Sequence, residues 1–213
     1  LPEYRAVREK ADFFTLCETP ELAATVTIQP VERLGVDAAI IFSDILLIPR
    51  AMGMELAMVP GTGPRFQRPV RSGAEVNELK TFDVHRLDFV MRALAETRRE
   101  LAGRVPLIGF AGAPWTLFAY MVEGEGSRDF PEAKALMFRE PEVTHRLLKR
   151  LADGIADYLA AQFDSGADLV QLFDTWGGLL RPIDYEEFSL YYIQYIIDRL
   201  PAGHGPVILF SKG

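Results

Sequence analysis

The sequence is poor in cysteine: Cys17 is the only one in 213 residues. A single thiol cannot form an internal disulfide, and it cannot supply the several thiolates of a cysteine-rich zinc site. This low content favours a reducing compartment. With 49% hydrophobic and 25% charged residues, the chain has the composition of an ordinary globular protein that buries a substantial core.

Excess positive charge and long apolar runs are also missing. The 23 lysine and arginine residues are outnumbered by 30 acidic ones, which gives a net charge of -7. This balance argues against the electrostatic footprint of a nucleic-acid-binding protein. The longest apolar runs, such as residues 38–42 and 207–210, are far shorter than the roughly 18 to 20 residues of a membrane helix. We therefore expect no nucleic acid and no membrane as partners, and a small molecule as ligand.

Common catalytic motifs are absent as well. The sequence contains neither the phosphate-binding pattern G-x-x-x-x-G-K-[ST] nor the nucleophile elbow G-x-S-x-G. Its nearest approach to a dinucleotide-binding fingerprint, Gly61-Thr-Gly63, has Phe66 at the third glycine position and lies in a proline-rich loop. The three histidines, His85, His145 and His204, show no metal-binding spacing. No metal site is predicted.

What the sequence does contain is an alternation of strand and helix patterns. Four aliphatic runs predict strands buried on both faces, at residues 39–42, 106–110, 169–173 and 207–210. Amphipathic patterns predict helices in the intervening segments, beginning near residues 19, 83, 141 and 185. Pro30 is expected to bend or end the first of them. Because no domain break separates these βα units, residues 1–213 are expected to form a single domain.

Two architectures are compatible with this alternation, an open doubly wound sheet and a closed (β/α)8 barrel. A nucleotide-binding doubly wound sheet would need the glycine fingerprint that is missing. Residues capable of chemistry follow every predicted strand, at Ser43-Asp44, Gly112-Ala-Pro-Trp115, Asp174-Thr175 and Ser211-Lys212. A barrel builds its active face from the carboxyl ends of its strands. We therefore predict an α/β fold of the (β/α)8, or TIM barrel, class.

Three residues near these strand ends are candidates for a site. Asp44 follows the first predicted strand by two residues, so its carboxylate is expected at the mouth of the barrel, although an Asp in this position commonly caps a turn instead. The Tyr120 hydroxyl either turns into the pocket or packs in the core. Thr175 either donates to a substrate carboxylate or caps the next helix. The residues alone thus indicate a barrel enzyme with an acidic strand end.

Longer segments match a known family. In chain order they are Leu1-Pro-Glu-Tyr-Arg5, Asp37-Ala-Ala-Ile-Ile-Phe-Ser-Asp-Ile-Leu46, Met52-Gly-Met54, Gly109-Phe-Ala-Gly-Ala-Pro-Trp-Thr116, Tyr120-Met-Val-Glu-Gly124 and Gln171-Leu-Phe173. Over essentially its whole length the sequence resembles the uroporphyrinogen decarboxylase family. The resemblance implies a single (β/α)8 barrel, usually a homodimer, that converts the four acetate arms of uroporphyrinogen III to methyl groups, giving coproporphyrinogen III for haem and chlorophyll synthesis.

The resemblance also assigns roles to individual residues. It implies that the Asp44 carboxylate lies below the macrocycle, accepts hydrogen bonds from the pyrrole N–H groups and stabilises the positive charge that develops there. It gives substrate contacts to Tyr120 and Thr175, and makes Arg8 a partner of a substrate carboxylate. No cofactor is implied, because the protonated pyrrole ring itself accepts the electrons released with carbon dioxide. The implied location is the cytoplasm, or the plastid if the source is a plant.

The sequence departs from the family pattern at both ends. The family has an arginine-rich segment of the form M-R-Q-A-G-R-Y before the Leu-Pro-Glu that opens this chain, a histidine in the C-terminal part of the barrel, and further βα units beyond residue 213. We therefore expect an incomplete barrel. Two alternatives stay open: a corrinoid-dependent methyltransferase of a related zinc-binding barrel family, and a tetrapyrrole-binding homologue without activity. The single cysteine disfavours the first, and retention of Asp44 with Tyr120 disfavours the second.

Overall fold

Residues 1–212 are described by a computed structural model in which helices and strands alternate. The strands are β1 Ala39–Ile40, β2 Leu56–Val59, β3 Gly63–Phe66, β4 Leu107–Gly112, β5 Leu169–Asp174 and β6 Val207–Ser211. The α-helices are α1 Pro2–Arg8, α2 Phe13–Glu18, α3 Pro20–Leu34, α4 Leu47–Ala51, α5 Gly73–Glu78, α6 Asp88–Leu101, α7 Pro114–Glu123, α8 Pro131–Arg139, α9 Pro141–Asp164, α10 Pro182–Tyr185 and α11 Tyr191–Arg199. None of these helices has the length and apolar character needed to cross a bilayer.

The main sheet contains the four predicted strands, all parallel, in the order β1-β4-β5-β6. Phe110 of β4 lies beside Gln171 of β5, and Phe173 of β5 lies beside Phe210 of β6. Each new strand is added to the same edge, so the chain winds in one direction, as it does in a barrel. A doubly wound sheet would reverse its direction. The prediction of a (β/α) barrel fold is confirmed, with four of its strands in the described residues.

In β4 and β5 one face is buried and the other is partly exposed, whereas β6 is exposed over most of its length. Val170 and Leu172 of β5 are fully buried, whereas Gln171 and Phe173, which alternate with them, are partly exposed. In β6, residues 208–210 are all more than a third exposed. The prediction of strands buried on both faces is therefore wrong. Helices α6, α7 and α9, which contact β4 and β5, cover the outer face and leave the concave inner face open.

Three local predictions also need correction. Strands β2 and β3 were not predicted: they form an antiparallel hairpin whose turn contains Gly61, within the segment assigned to a proline-rich loop. Pro30 does not end α3, which continues to Leu34 and stops at Gly35 in the left-handed conformation. The predicted strand at residues 39–42 contributes only Ala39–Ile40 to the sheet. The chain leaves the sheet early at this point, and this departure shapes the site described below.

The last predicted helix is interrupted by a wider turn. Residues Glu186–Leu190 form a π-helical turn between α10 and α11, so the helical segment begins at Pro182 rather than near residue 185. Phe188 and Ser189 within this turn are buried. A π turn adds one residue to a helix and is frequently found at functional sites. Here it brings Ser189 against the end of β5, as shown by its hydrogen bond to Asp174.

Candidate active site

A cavity of about 630 Å³ lies along the whole of β1 and the residues on either side of it, the inner faces of β4 and β5, and one side of α3. Its walls include three phenylalanines, Phe42, Phe110 and Phe173, and its polar lining includes Asp44 and Thr175. The volume is in the range of pockets that bind small molecules, and such pockets are mostly apolar with a few polar groups. The cavity is therefore the candidate active site, and it holds two of the predicted site residues.

Asp44 reaches this cavity because the chain turns away from the sheet just before it. The last backbone bond from this segment to β4 is donated by the Ile41 amide to the Ile108 carbonyl, at 3.0 Å. Three residues later, Oδ1 of Asp44 accepts the Leu46 amide at 2.7 Å. Asp44 thus caps the turn, which was the alternative reading of this position, while it also lines the cavity. Asp44 can do both because its hydrogen bond with the Leu46 amide uses Oδ1 only.

The surroundings of Asp44 disfavour its negative charge. Burial raises the pKa of Asp44 above its ordinary value, and the Leu46 amide lowers it in part. No cationic side chain is among the causes of the shift. A carboxylate in these surroundings gains most from hydrogen-bond donors or positive charge supplied by a ligand. The site is thus suited to a ligand that presents N–H groups or develops positive charge close to Asp44.

Tyr120 lies in α7, within an aromatic cluster beside the cavity. Its ring is 5.7 Å from that of Phe130 and 6.1 Å from that of Trp176, both measured between centroids. Burial raises the pKa of Tyr120, and the negative charge of Asp44 raises it further. Tyr120 therefore packs in the core and is also within electrostatic range of Asp44. It is not among the residues that line the cavity.

Next to Thr175 lies a buried carboxylate, Asp174, which sequence reasoning placed at a strand end without assigning it a role. Asp174 is fully buried and points to the outer face of the sheet, where its two oxygens accept hydrogen bonds from Thr116 at 3.0 Å and Ser189 at 2.7 Å. Burial raises the pKa of Asp174, and these two hydroxyls lower it in part. The strict alternation of β5 could have predicted this orientation, since Phe173 faces inward and the next residue must face outward.

The loop after β5 is fixed at Trp176. The Trp176 amide donates to the Thr116 hydroxyl at 3.2 Å, and its carbonyl accepts the Trp115 indole N–H at 3.1 Å. Thr116 therefore connects the loop to Asp174, because its hydroxyl also donates to that carboxylate. At Gly177 an added Cβ would overlap the Asp174 carboxylate. The backbone around Thr175 is thus positioned by α7 and by the π turn.

Arg8 does not line the cavity. It ends α1, where Nη1 donates to the Ala11 carbonyl at 2.7 Å and the guanidinium carbon lies 6.0 Å from the Phe13 ring centre. Phe13 in turn packs against Phe42 of the cavity wall, with centroids 5.8 Å apart. Two aromatic rings therefore separate Arg8 from the cavity. Its assignment as a partner of a substrate carboxylate stays a prediction.

The histidines lie outside this site. His145 makes a 2.8 Å hydrogen bond with the Tyr192 hydroxyl and stacks on Phe188, His204 contacts the neighbouring Gly205 carbonyl, and His85 is largely exposed. Within residues 1–212, no group of three or more His, Cys, Asp or Glu side chains has an arrangement that could hold a metal ion.

Fold and site together define the class of protein: a parallel α/β barrel with an acidic strand end inside an apolar cavity. The uroporphyrinogen decarboxylase (URO-D) family model matches residues 1–213, so the chain belongs to the uroporphyrinogen decarboxylase family. Proteins named uroporphyrinogen decarboxylase are 52% identical over 215 residues in Chlorobium phaeovibrioides and 56% identical over 219 residues in Nitrosococcus oceani. Each match covers 100% of this chain and 61% of the relative, so the chain spans about three fifths of their length.

A solved structure shares the fold. A methyltransferase from Methanosarcina mazei superposes with a TM-score of 0.72 over 92% of this chain and 57% of that protein, at 17% sequence identity. A likeness at this level of identity concerns the arrangement of helices and strands alone. It agrees with the barrel winding seen in the strand order.

Proposed function

We propose that the protein containing this chain is a uroporphyrinogen decarboxylase. It would remove carbon dioxide from the four acetate side chains of uroporphyrinogen III and leave four methyl groups, which gives coproporphyrinogen III. The observation that carries this proposal is the half-buried Asp44 carboxylate in an apolar cavity at a strand end. Family membership and the names of the relatives support the same reaction.

The proposed chemistry needs a fixed anion beside the substrate. Protonation of a pyrrole carbon places positive charge on the ring, and the C–C bond to the carboxylate then breaks so that its electron pair neutralises that charge. Carbon dioxide leaves, the remaining exocyclic carbon takes up a proton to become a methyl group, and the ring carbon releases the proton it first accepted, which restores the aromatic pyrrole. In this proposal the Asp44 carboxylate accepts the pyrrole N–H bonds and stabilises the cation. Preorganised electrostatic stabilisation of this kind is usually the largest single contribution to catalysis.

The remaining predicted site residues would bind the substrate rather than react with it. The walls formed by Phe42, Phe110 and Phe173 offer apolar surface to the macrocycle. We propose that Thr175 and Tyr120 donate hydrogen bonds to substrate carboxylates, and that Arg8 pairs with one of them. No metal and no cofactor enters this scheme. Asp44 is the residue proposed to act on the charge that develops during the reaction.

Turnover of the substrate tests the proposal directly. Full-length protein incubated anaerobically with uroporphyrinogen III should yield coproporphyrinogen III and four equivalents of carbon dioxide, measured by chromatography of the oxidised porphyrins. Oxygen must be excluded because the porphyrinogen otherwise oxidises to the planar porphyrin. A folded full-length protein that binds uroporphyrinogen without releasing carbon dioxide would refute the activity and would favour a tetrapyrrole-binding homologue.

Substitutions at Thr175 and Tyr120 should affect binding more than chemistry. Thr175→Val and Tyr120→Phe each remove one hydroxyl that is proposed to hold a substrate carboxylate in the ground state and the transition state alike. We therefore expect KM to rise by roughly 5-fold to 20-fold with kcat changed by less than about 3-fold. Thr175→Ser retains the hydroxyl and serves as the matched control. A loss confined to kcat, with KM unchanged, would show that these side chains act in the chemical step.

The pH dependence should show the titration of Asp44. Burial raises the pKa of Asp44, and the proposed role requires the ionised form. As the pH falls through that raised pKa, the carboxylate is protonated and kcat/KM should decrease at a higher pH than an ordinary aspartate would produce. Asp44→Asn should lack this acidic limb in its residual activity. Because substrate carboxylates titrate equally for both proteins, a limb that persists in the variant would assign it to the substrate.

Assembly, location and domain structure are proposals of the same kind. We propose a homodimer, a cytoplasmic location and a single barrel domain that includes residues 1–213. The support for each is family membership. Sedimentation equilibrium of the full-length protein at micromolar concentration would measure the assembly.

A further inference from the structure

Two side chains bond the backbone at the point where β1 ends, one on each side of the strand. In a parallel strand, successive backbone N–H groups point to opposite edges. The Ile41 amide points toward β4 and bonds the Ile108 carbonyl, so the Phe42 amide points to the other edge. A regular ladder would next pair residue 43 with the Phe110 carbonyl of β4. Within residues 1–212, the Phe42 amide and the Phe110 carbonyl are both bonded by side chains.

Thr27 of α3 satisfies the first of these groups. Its side chain is buried and accepts the Phe42 amide at 2.8 Å, while its hydroxyl donates to the Ala23 carbonyl at 2.7 Å. The Thr27 hydroxyl thus acts as a donor and as an acceptor at the same time, which fixes its orientation. This bond fixes the backbone two residues before Asp44.

Gln162 of α9 satisfies the second group. Its side-chain amide donates to the Phe110 carbonyl at 2.9 Å. The side chain fits beside β4 because residue 109 is a glycine, where an added Cβ would overlap the Gln162 amide. The Gln162 bond therefore occupies the position where β1 would otherwise continue along β4, and the chain turns toward Asp44 instead.

Gln162 lowers the stability of the folded protein in one respect. The side chain is fully buried, and its Oε1 has no hydrogen-bond partner in the described part of the chain. A buried polar atom without a partner costs roughly 1 to 3 kcal/mol. Positions where a protein departs from good local stability are expected to be functional sites. A role in shaping the cavity gives such a residue a reason to be present.

We propose that Thr27 and Gln162 are positioning residues that terminate β1 between α3 and β4 and so set the location of the Asp44 carboxylate in the cavity. The proposal rests on the proposed decarboxylase function. Thr27 lines the cavity, but its hydroxyl is engaged by the Ala23 carbonyl and the Phe42 amide, and Gln162 does not line the cavity. Their effect passes through the backbone of residues 41–44, and it should therefore appear in the chemical step rather than in binding.

The test compares threonine variants in the full-length enzyme. Thr27→Val removes the hydroxyl at nearly constant volume, and we expect kcat to fall roughly 10-fold or more with KM changed by less than about 3-fold, because small displacements of a catalytic group are costly. Thr27→Ser retains the hydroxyl and should restore kcat to within about 3-fold of wild type. Thr97→Val is the matched control: Thr97 is equally buried and donates to the carbonyl four residues before it, but it accepts no bond from the segment before Asp44.

Gln162→Met separates positioning from stability. Methionine has a similar length but makes no bond to the Phe110 carbonyl, and it removes the unpartnered Oε1. We expect kcat to fall roughly 10-fold while the melting temperature stays within a few degrees of wild type. A merely structural role would show the reverse, with a lower melting temperature and an unchanged kcat per folded molecule.

The outcomes distinguish this proposal from the proposed function. If the wild-type protein does not decarboxylate uroporphyrinogen, the proposed function fails, and crystal structures of Thr27→Val and Thr97→Val still test the positioning role. Displacement of Asp44 relative to the Leu46 amide in the first variant and not in the second would support it. If the wild type is active, a Thr27→Val enzyme with wild-type kcat and pH profile, or a Thr97→Val enzyme with an equal loss, would overturn it.

Discussion

Replacing Asp44 by asparagine in the full-length protein should lower kcat/KM for uroporphyrinogen by roughly 10²-fold or more. Removal of one preorganised group that stabilises transition-state charge typically costs about 3 to 4 kcal/mol. Asparagine keeps an oxygen that can accept the Leu46 amide, so the turn should persist and the loss should reflect the missing charge. The measurement is anaerobic steady-state kinetics with uroporphyrinogen III.

Stability provides the control for this variant. Burial disfavours the charge of Asp44, so Asp44→Asn should unfold at the same temperature as the wild type or slightly above it. Asp164→Asn, an exposed substitution at the end of α9, removes the same charge outside the cavity lining and should leave kcat/KM unchanged. Near wild-type turnover by Asp44→Asn would show that the anion is not required, and it would refute the role proposed for this residue.

Substitution of Asp174 by alanine should cause the largest loss of stability. The change removes the acceptor for both the Thr116 and Ser189 hydroxyls and leaves a small void in a fully buried place. Loss of two buried hydrogen bonds with their partners left unpaired costs roughly 2 to 5 kcal/mol. Urea unfolding followed by circular dichroism would measure the change. A loss below about 1 kcal/mol would contradict this prediction and show that the hydrogen bonds to Asp174 contribute little net stability.

Replacing Asp174 by asparagine distinguishes the contribution of hydrogen bonding to stability from that of the carboxylate charge. Burial raises the pKa of Asp174, so the folded protein binds this proton more tightly than the unfolded chain does. The contribution of this proton to stability is fully present below the unfolded pKa and is lost as the pH rises through the raised folded pKa. Asp174→Asn carries no such proton and retains hydrogen-bonding groups. Its stability relative to wild type should therefore increase from acidic to neutral pH.

Much of the barrel could be predicted from local sequence. The runs that form β4 and β5 are continuous in aliphatic residues and are followed by helix-starting prolines or small residues. The strand pattern and the helix-start signals therefore predict the same boundaries. The sequence could not show whether one face of these strands is buried or both, because a continuous apolar run does not reveal which face is covered. Phe173 and Phe210 are apolar and face the open side of the sheet. Their exposure depends on which elements pack there, and local patterning does not encode that.

The site was predictable at single positions and not as a network. Asp44 and Thr175 follow strands directly, and strand ends converge in a barrel, so their shared cavity was foreseeable. Thr27 and Gln162 lie 15 and 52 residues from the groups they bond, within helices whose patterns indicate only core packing. Such long-range hydrogen bonds leave no periodic signal. The same holds for the bond between Ser189 and Asp174, which depends on a π turn that the apolar periodicity of this helical segment does not reveal.

The π turn also constrains how this segment can change during evolution. Deleting one residue from Glu186–Leu190 would restore a regular helix, but every later residue would rotate by about 100° around the axis. Ile193 and Ile196, which are buried in the present phase, would turn away from the core. A one-residue deletion at this point would therefore leave the downstream sequence unchanged but turn its apolar stripe away from the core. Lineages that retain the Ser189 bond to Asp174 should consequently retain the length of this segment even where its residues diverge.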